Sequence, residues 1–183
     1  MQNWTRRGVI AASLAGATAA CTRNTVKSGA EIDAEVAASR QMLYSSVDGA
    51  RNLADRAQAV LIIPRIIEGG FVFSGAYGEG ALQVGDATVD YISVAAAAVG
   101  LQIGGQIYSQ ALFFMTPQAL GDFRATDGWQ LGVDAEVAAL SDGVGVGAST
   151  NTVGRPVIEI IYGQRGLIVG ASLEGAKYNR LIR

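Results

Sequence analysis

The most informative segment of this 183-residue chain reads Gly70-Phe71-Val72-Phe73-Ser74-Gly75-Ala76-Tyr77-Gly78-Glu79-Gly80-Ala81-Leu82-Gln83-Val84. Aromatic and branched residues favour extended backbone, and the recurring glycines are typical of turns, bulges or close approaches of another group. We therefore predict successive β-strands with tight turns or bulges. Gly85 and Asp86 supply the next turn, and a further strand is predicted from Thr88 to Val94.

The residues before this segment indicate a helical part and then an extended part. Between Ala30 and Ala59 there is no proline and a single glycine, Gly49. Apolar residues recur there at spacings of three, four and seven: Ile32, Val36, Leu43, Val47, Ala50, Leu53, Ala54 and Ala57. The pattern predicts an amphipathic helix, or two helices broken near Gly49. The apolar run that begins at Ala59 predicts a buried strand that ends at Pro64.

The stretch from Tyr91 to Gly121 contains no charged residue, and its length alone would allow a membrane-spanning helix. Polar and apolar residues alternate between Leu101 and Gln110, however, which favours a strand with one polar face. Glutamines at every fourth position also fit a helix, but the glycines nearby disfavour one. The strand is predicted to continue as a buried segment from Ala111 to Met115.

The last third of the chain predicts one short helix and several strands. Thr116 and Pro117 are typical of a helix N-cap and first position, and this helix should reach about Ala125. Strands follow at 129–140, 156–162 and 167–173, with a loop at 141–154 and a turn at 163–166. Residues 30–183 should therefore form one α+β domain. We expect an N-terminal amphipathic helix packed on a glycine-rich, mainly antiparallel, strongly curved or barrel-like sheet, with one short additional helix.

Composition excludes several classes of function. Half of the residues are hydrophobic and 16% are charged, and the 24 glycines are nearly twice the usual share of about 7%. The net charge of −2 becomes −4 without Arg6 and Arg7, which argues against a nucleic-acid partner. Histidine is absent, and with it the commonest general base and metal ligand. We therefore expect that the protein is not an enzyme and that it has no cofactor and no metal site.

The first 21 residues have the pattern of an export signal. Arg6 and Arg7 precede an apolar stretch at 8–17, and small residues lead to the single cysteine, Cys21. We predict a signal peptide with a lipobox, lipid attachment such as palmitate at Cys21, and a polar tether at 22–29. Cleavage after Ala20 without lipid is the alternative, and the arginine pair also fits twin-arginine export. The expected location is the cell envelope, on the outer or inner membrane facing the periplasm.

Four segments of the chain form an ordered pattern. They begin with Ala59-Val60-Leu61-Ile62-Ile63-Pro64 and with Gly70 through Gly80, and continue with Ala111-Leu112-Phe113-Phe114-Met115-Thr116 and with Arg165 through Lys177. In this order they resemble the SYLF domain, which is also called the Ysc84-type actin-binding domain. The resemblance covers roughly Leu53 to Arg180. It implies phospholipid binding without catalysis and, in some fungal members, binding of actin filaments.

Candidate binding residues follow from charge and from glycine context. Four cations are predicted to be the least neutralised and to bind headgroup phosphate: Arg65, Lys177, Arg180 and Arg183. Glu79 and Glu174 lie beside glycines and are predicted ligand-contact turns. Five aromatic residues belong either to an acyl-chain cleft or, as is usual on strands, to the core: Phe71, Phe73, Tyr77, Phe113 and Phe114.

The sequence thus leads to one main hypothesis of function and two alternatives. The main hypothesis is a non-catalytic phospholipid-binding domain tethered to the bacterial cell envelope, with phospholipid or a membrane surface as its partner. The alternatives are a protein-interaction or scaffold module with a protein partner, and a structural β-protein of the envelope.

Overall fold

The computed structural model of the protein describes residues 26–130, 134, 137–141, 154–168 and 176–183. The predictions for the signal peptide, for Cys21, for Glu174 and for most of the loop at 141–154 lie outside these residues.

Two helices precede the sheet: α1, Gly29–Ser46, and α2, Ala50–Arg56. A capping box starts α1, because the Ser28 hydroxyl accepts from the Glu31 amide and the Glu31 carboxylate accepts from the Ser28 amide at 2.7 Å. The Ser28 amide and the Ser28 hydroxyl both donate to the Glu31 carboxylate, and these two hydrogen bonds lower the pKa of Glu31. The helices are separated at Gly49, whose φ of 84° suits glycine. The prediction of two helices broken near Gly49 is confirmed.

A single long hairpin forms most of the sheet. Its arms are β1, Ala59–Val84, and β2, Ala87–Phe114, paired antiparallel from Ala59 with Phe114 to Val84 with Ala87. The predicted turn at Gly85 and Asp86 is confirmed. The predicted end of a strand at Pro64 is wrong, because a register shift between Ile63 and Ile66 takes this proline out of the regular ladder. Further shifts interrupt β1 where separate strands were expected.

The remaining elements extend this hairpin. They are α3, Pro117–Ala125; β3, Trp129–Gln130; β4, Val137–Ser141; β5, Val157–Ile168; and β6, Lys177–Leu181. The strand order is β3-β6-β2-β5-β4, and β1 pairs with β2. All pairs are antiparallel except β4 with β5. The helix α3 begins as predicted, with the Thr116 hydroxyl accepting from the Ala119 amide.

In this region one predicted strand and one predicted turn are wrong, and one strand was missed. Asp134 lies in a turn between β3 and β4, so 129–140 is not one strand. The expected turn at 163–166 lies within β5, where Gly163 has a φ of 66° and the pairing with β2 shifts register between Ile107 and Ser109. The strand β6 was not predicted at all. Its partner β2 is distant in sequence, and no local signal marks the pairing.

Part of the sheet is buried on both faces. One face packs against α1 and α2, whose buried residues include Ile32, Val36, Leu43 and Leu53. The other face packs against α3 and the short strands through an aromatic cluster of Phe114, Phe123, Trp129 and Tyr178, with ring centroids 4.7–6.3 Å apart. The predicted polar face of the 101–110 strand is therefore not solvated at its end, where Gln110 is 1% exposed.

The sheet is strongly curved, which is one of the two forms that the sequence predicted, the other being a barrel-like sheet. Two parts of β1 lie in contact: a Cβ atom built on Gly80 would be 2.0 Å from the Ile62 carbonyl oxygen, and one built on Gly78 would be 2.7 Å from that of Arg65. The α+β class and the mainly antiparallel, curved sheet are confirmed. Within the described ranges, no helix has the length and apolar character needed to cross a membrane.

Candidate functional site

A cleft of about 430 Å³ lies between the start of the domain and the contact between the two parts of β1. Its lining residues are Val26, Lys27, Arg65, Ile67, Tyr77, Gly78 and Glu79. Arg65 and Ile67 are exposed because they alternate along the strand with the buried residues Ile66 and Glu68. The close approach of Gly78 to the Arg65 carbonyl then places Tyr77 and Glu79 beside them.

The Glu79 carboxylate organises the polar side of the cleft. Its Oε1 accepts from the Tyr77 hydroxyl at 2.7 Å and from Arg183 Nη2 at 2.9 Å. The Glu79 and Arg183 side chains are each 13% exposed, so this is a largely buried ion pair. Its other oxygen, Oε2, is buried and accepts no hydrogen bond from the described residues.

Tyr77 keeps its proton over the physiological range. Burial raises the pKa of Tyr77 to about 12, with the hydrogen bond to Glu79 and the charge of Glu79 as further causes. The hydroxyl therefore remains a donor to Glu79, while the ring stays half exposed at the mouth of the cleft.

The cations in the cleft, and Arg183 beside it, differ in their freedom to bind an anion. Lys27 forms an ion pair with Glu35 at 2.5 Å, and Arg183 is held by Glu79. Arg65 is exposed and makes no ion pair with any residue that the structure describes. A guanidinium in this state can donate to a phosphate without first losing a carboxylate partner.

Apolar side chains stand next to this cation. Val26 is 74% exposed, Ile67 53% and Tyr77 51%. Exposed apolar groups around an accessible arginine are suited to the boundary between lipid headgroups and acyl chains, where one part of the surface loses water and the other keeps polar partners.

The structure brings together three of the residues that the sequence indicated, namely Arg65, Glu79 and Arg183. The prediction of Glu79 as a turn residue is wrong, because it lies inside β1. Its flanking glycines, Gly78 and Gly80, permit contact with the strand's own backbone rather than with a ligand.

The prediction that all four cations are weakly neutralised is wrong for two of them. Arg183 pairs with Glu79. Arg180 lies 3.3 Å from Asp90 and donates to the Arg124 carbonyl, and Arg124 also pairs with Asp90 at 2.8 Å. Lys177 is exposed on β6 and has no ion pair in the part of the chain that the structure describes, and it does not line the cleft.

Sequence reasoning missed Val26, Lys27 and Ile67 as cleft residues. The available signal was the spacing of Arg65 and Ile67, because residues two apart on a strand lie on the same face. Among the aromatic candidates, Phe113 and Phe114 are fully buried core residues, whereas Tyr77 lines the cleft. The side chains of Phe71 and Phe73 lie outside the described part.

A second polar cluster lies inside the sheet. Gln106 donates to Glu68 at 2.9 Å, Gln110 donates to Glu159, and the Tyr178 hydroxyl donates to Gln110 at 3.0 Å. Burial raises the pKa of Glu159, which is 4% exposed. These buried contacts hold strands together, and their low exposure does not favour a role in binding.

A groove of about 540 Å³ lies between the helices and the hairpin turn. Its two arginines have internal partners: Arg40 pairs with Asp86 at 2.9 Å, and the Arg51 guanidinium lies 4.6 Å from the centre of the Tyr44 ring. Among the described residues there is no group of three acidic, histidine or cysteine side chains that could hold a metal ion.

One comparison with known proteins found a match, and the matched residues do not include the residues that line the cleft. Residues 95–180 match the family model of Ysc84, described as Las17-binding protein actin regulator. The matched part runs from within β2 to within β6, so it includes most of the sheet beyond the first arm of the hairpin. A comparison with curated proteins gave no match.

Proposed function

Because residues 95–180 belong to the Ysc84, or SYLF, family, we propose that this chain is a non-catalytic, phospholipid-binding domain tethered to the bacterial cell envelope. In this proposal Cys21 carries the lipid anchor, and the cleft at Arg65 makes a second, weaker contact with the same membrane.

The observation that carries the proposal is the composition of the cleft. An arginine without an ion pair among the described residues stands beside Ile67, Tyr77 and Val26, each more than half exposed. This arginine can bind a phosphate, and the exposed apolar side chains favour the boundary between headgroups and acyl chains. If this surface contacted only water, the exposure of three neighbouring apolar side chains would be unfavourable and would serve no binding.

The position of the cleft in the chain also supports the proposal. Val26 and Lys27 line it and follow Cys21 by five and six residues. An extended chain advances about 3.3–3.6 Å per residue, so Val26 lies within roughly 18 Å of the anchored cysteine. A lipid on Cys21 would therefore keep the cleft close to the headgroup layer.

The expected second contact is weak. The chain without residues 1–21 has a net charge of −4, and a single juxtamembrane cation contributes on the order of 1 kcal/mol toward anionic lipid. Most of the holding force would come from the anchor, while the cleft orients the domain.

Vesicle co-sedimentation tests the second contact. We would use the full chain with Cys21→Ser and vesicles of phosphatidylethanolamine and phosphatidylglycerol at low salt, comparing Arg65→Ala with Arg56→Ala. Arg56 is a matched control because it is exposed and, among the described residues, its side chain donates only to the Asn52 carbonyl. We expect about fivefold weaker binding for Arg65→Ala and no change for Arg56→Ala.

A second pair of variants tests the apolar part. Ile67→Ser should also weaken binding, whereas Val84→Ser, which removes an apolar residue 43% exposed on the same strand but outside the cleft, should not. Equal binding by all four variants and the parent would refute a contact through the cleft. The leader is identical in every protein compared, so its own affinity for lipid cancels.

The family description supports a second candidate, a protein-interaction module of the envelope. Affinity purification from the envelope fraction distinguishes the two. Recovery of a partner in fixed stoichiometry, lost on mutation of the cleft and unaccompanied by vesicle binding, would favour this candidate.

A further inference from the structure

We infer that the cleft selects a zwitterionic headgroup whose ammonium carries N–H donors, that is, the phosphoethanolamine of a phospholipid. This inference rests on the proposed function and specifies the headgroup that the same site would take. Its starting point is that Arg65 and Glu79, which have opposite charges, line one cleft.

Glu79 supplies the carboxylate oxygen that would accept a hydrogen bond from the ammonium of the headgroup. Tyr77 and Arg183, the two hydrogen-bond partners of this carboxylate among the described residues, both donate to Oε1. The buried Oε2 accepts nothing from the described residues, and a buried carboxylate oxygen without a donor is unfavourable. An ammonium has three N–H donors and a positive charge, so it satisfies this oxygen without displacing Arg183.

Arg65 supplies the site for the phosphate. Its backbone touches Gly78, the residue next to Glu79, so the two charged side chains start from adjacent points on the cleft wall. A purely anionic headgroup would meet the Glu79 carboxylate, and a purely cationic one would meet the Arg65 guanidinium. A headgroup with phosphate and ammonium joined by a short linker meets an opposite charge at each end.

The aromatic content of the cleft separates primary from quaternary ammonium. Quaternary ammonium groups have no N–H donor and are recognised by cages of several aromatic rings. Tyr77 is the one aromatic residue among the described residues that line the cleft. Hydrogen bonding to Glu79 is therefore the stronger source of selectivity, and it favours ethanolamine over choline.

Vesicle binding by the full chain with Cys21→Ser tests the inference. The three vesicles are phosphatidylcholine alone, an equal mixture with phosphatidylethanolamine, and a mixture with phosphatidylglycerol. The first two are both uncharged overall, so their difference isolates the N–H donors. We expect at least threefold stronger binding to the ethanolamine mixture than to phosphatidylcholine.

Glu79→Gln should abolish this preference and strengthen binding to the phosphatidylglycerol mixture, because the cleft loses its negative charge. Asp86→Asn removes one charge from a side chain 94% exposed outside the cleft, and it should keep the preference. Arg183→Gln breaks the same ion pair as Glu79→Gln but retains the carboxylate, so it too should keep the preference.

Each outcome is decisive. Equal binding to the choline and ethanolamine vesicles overturns this inference and leaves the proposed function standing. Loss of the preference in Arg183→Gln as well as Glu79→Gln shows that the ion pair acts only structurally, and a preference that survives Glu79→Gln shows a general effect of the ethanolamine bilayer. Either result overturns the inference. Absence of binding to any vesicle refutes the proposed function itself.

Discussion

Replacing Gly80 with alanine should destabilise the protein severely, because this glycine lies where β1 contacts itself. The added Cβ would stand 2.0 Å from the Ile62 carbonyl oxygen and 2.8 Å from both the Ile62 carbonyl carbon and the Ile63 Cα. All three are backbone atoms of a strand that is paired with β2 at Ala111 and Gln110. No side chain can rotate away to relieve the clash.

The magnitude follows from this geometry. The methyl group and the carbonyl oxygen would have to separate by about 1 Å, which moves strand backbone that is packed on both faces. Overpacking of a well-packed interior costs about 1–3 kcal/mol and occasionally more, and we expect about 3 kcal/mol or more here because only backbone can yield. For a chain of this size, that lowers the melting temperature by about 6–12 °C.

Gly121→Ala is the matched control, since it makes the same chemical change in open space. Gly121 lies within α3, and a Cβ added there meets nothing within 4 Å. Alanine is favoured over glycine in a helix by about 1 kcal/mol, so this variant should be more stable than the parent.

Equilibrium unfolding in urea measures both changes, with the slope checked to confirm that the same transition is compared. Our reasoning is refuted if the free energy of unfolding of Gly80→Ala lies within about 0.5 kcal/mol of the parent value, which is the usual range for a surface substitution. That result would mean that the two parts of β1 do not approach as closely as the structure shows.

Two further predictions concern the buried carboxyl and the anchor. Burial raises the pKa of Glu159 above its usual 4.5. The folded protein therefore loses stability as the pH rises above 4.5, because the unfolded chain releases this proton more readily than the folded one. Glu159→Gln should therefore gain stability relative to the parent between pH 4 and 8, and a difference that does not change with pH in urea unfolding would contradict this. If Cys21 is the site of lipid attachment, radiolabelled palmitate should be incorporated into the chain in bacterial cells and not into Cys21→Ser; equal labelling of both would exclude that site.

The local elements of this protein could be predicted because their signals are short-range. The apolar spacing of α1 and α2, the glycine that separates them, and the cap at Thr116 and Pro117 all act within a few residues. The turn at Gly85 and Asp86 belongs to the same group. Their hydrogen bonds join residues that are near neighbours in sequence, so these elements can be predicted from short segments.

Strand limits were less predictable for a physical reason. The proline at 64 and the glycines between 69 and 80 read as ends and turns, yet β1 continues through them with bulges because β2 pairs with it along its length. Likewise, β6 exists because β2 and β3 lie beside it, and nothing in its own five residues requires a strand. Pairing of this kind depends on partners far away in sequence.

The candidate site divides in the same way. Residue type alone indicated Arg65, Glu79 and Arg183 as chemically active groups, and the absence of histidine alone removed most catalytic and metal chemistry. Only the tertiary structure decided that Glu79 holds Arg183 across 104 positions, that Asp90 neutralises Arg180, and that Arg65 makes no ion pair among the described residues. Charge can be read from a sequence, but its neutralisation depends on which groups the curved sheet brings within a few ångströms of one another.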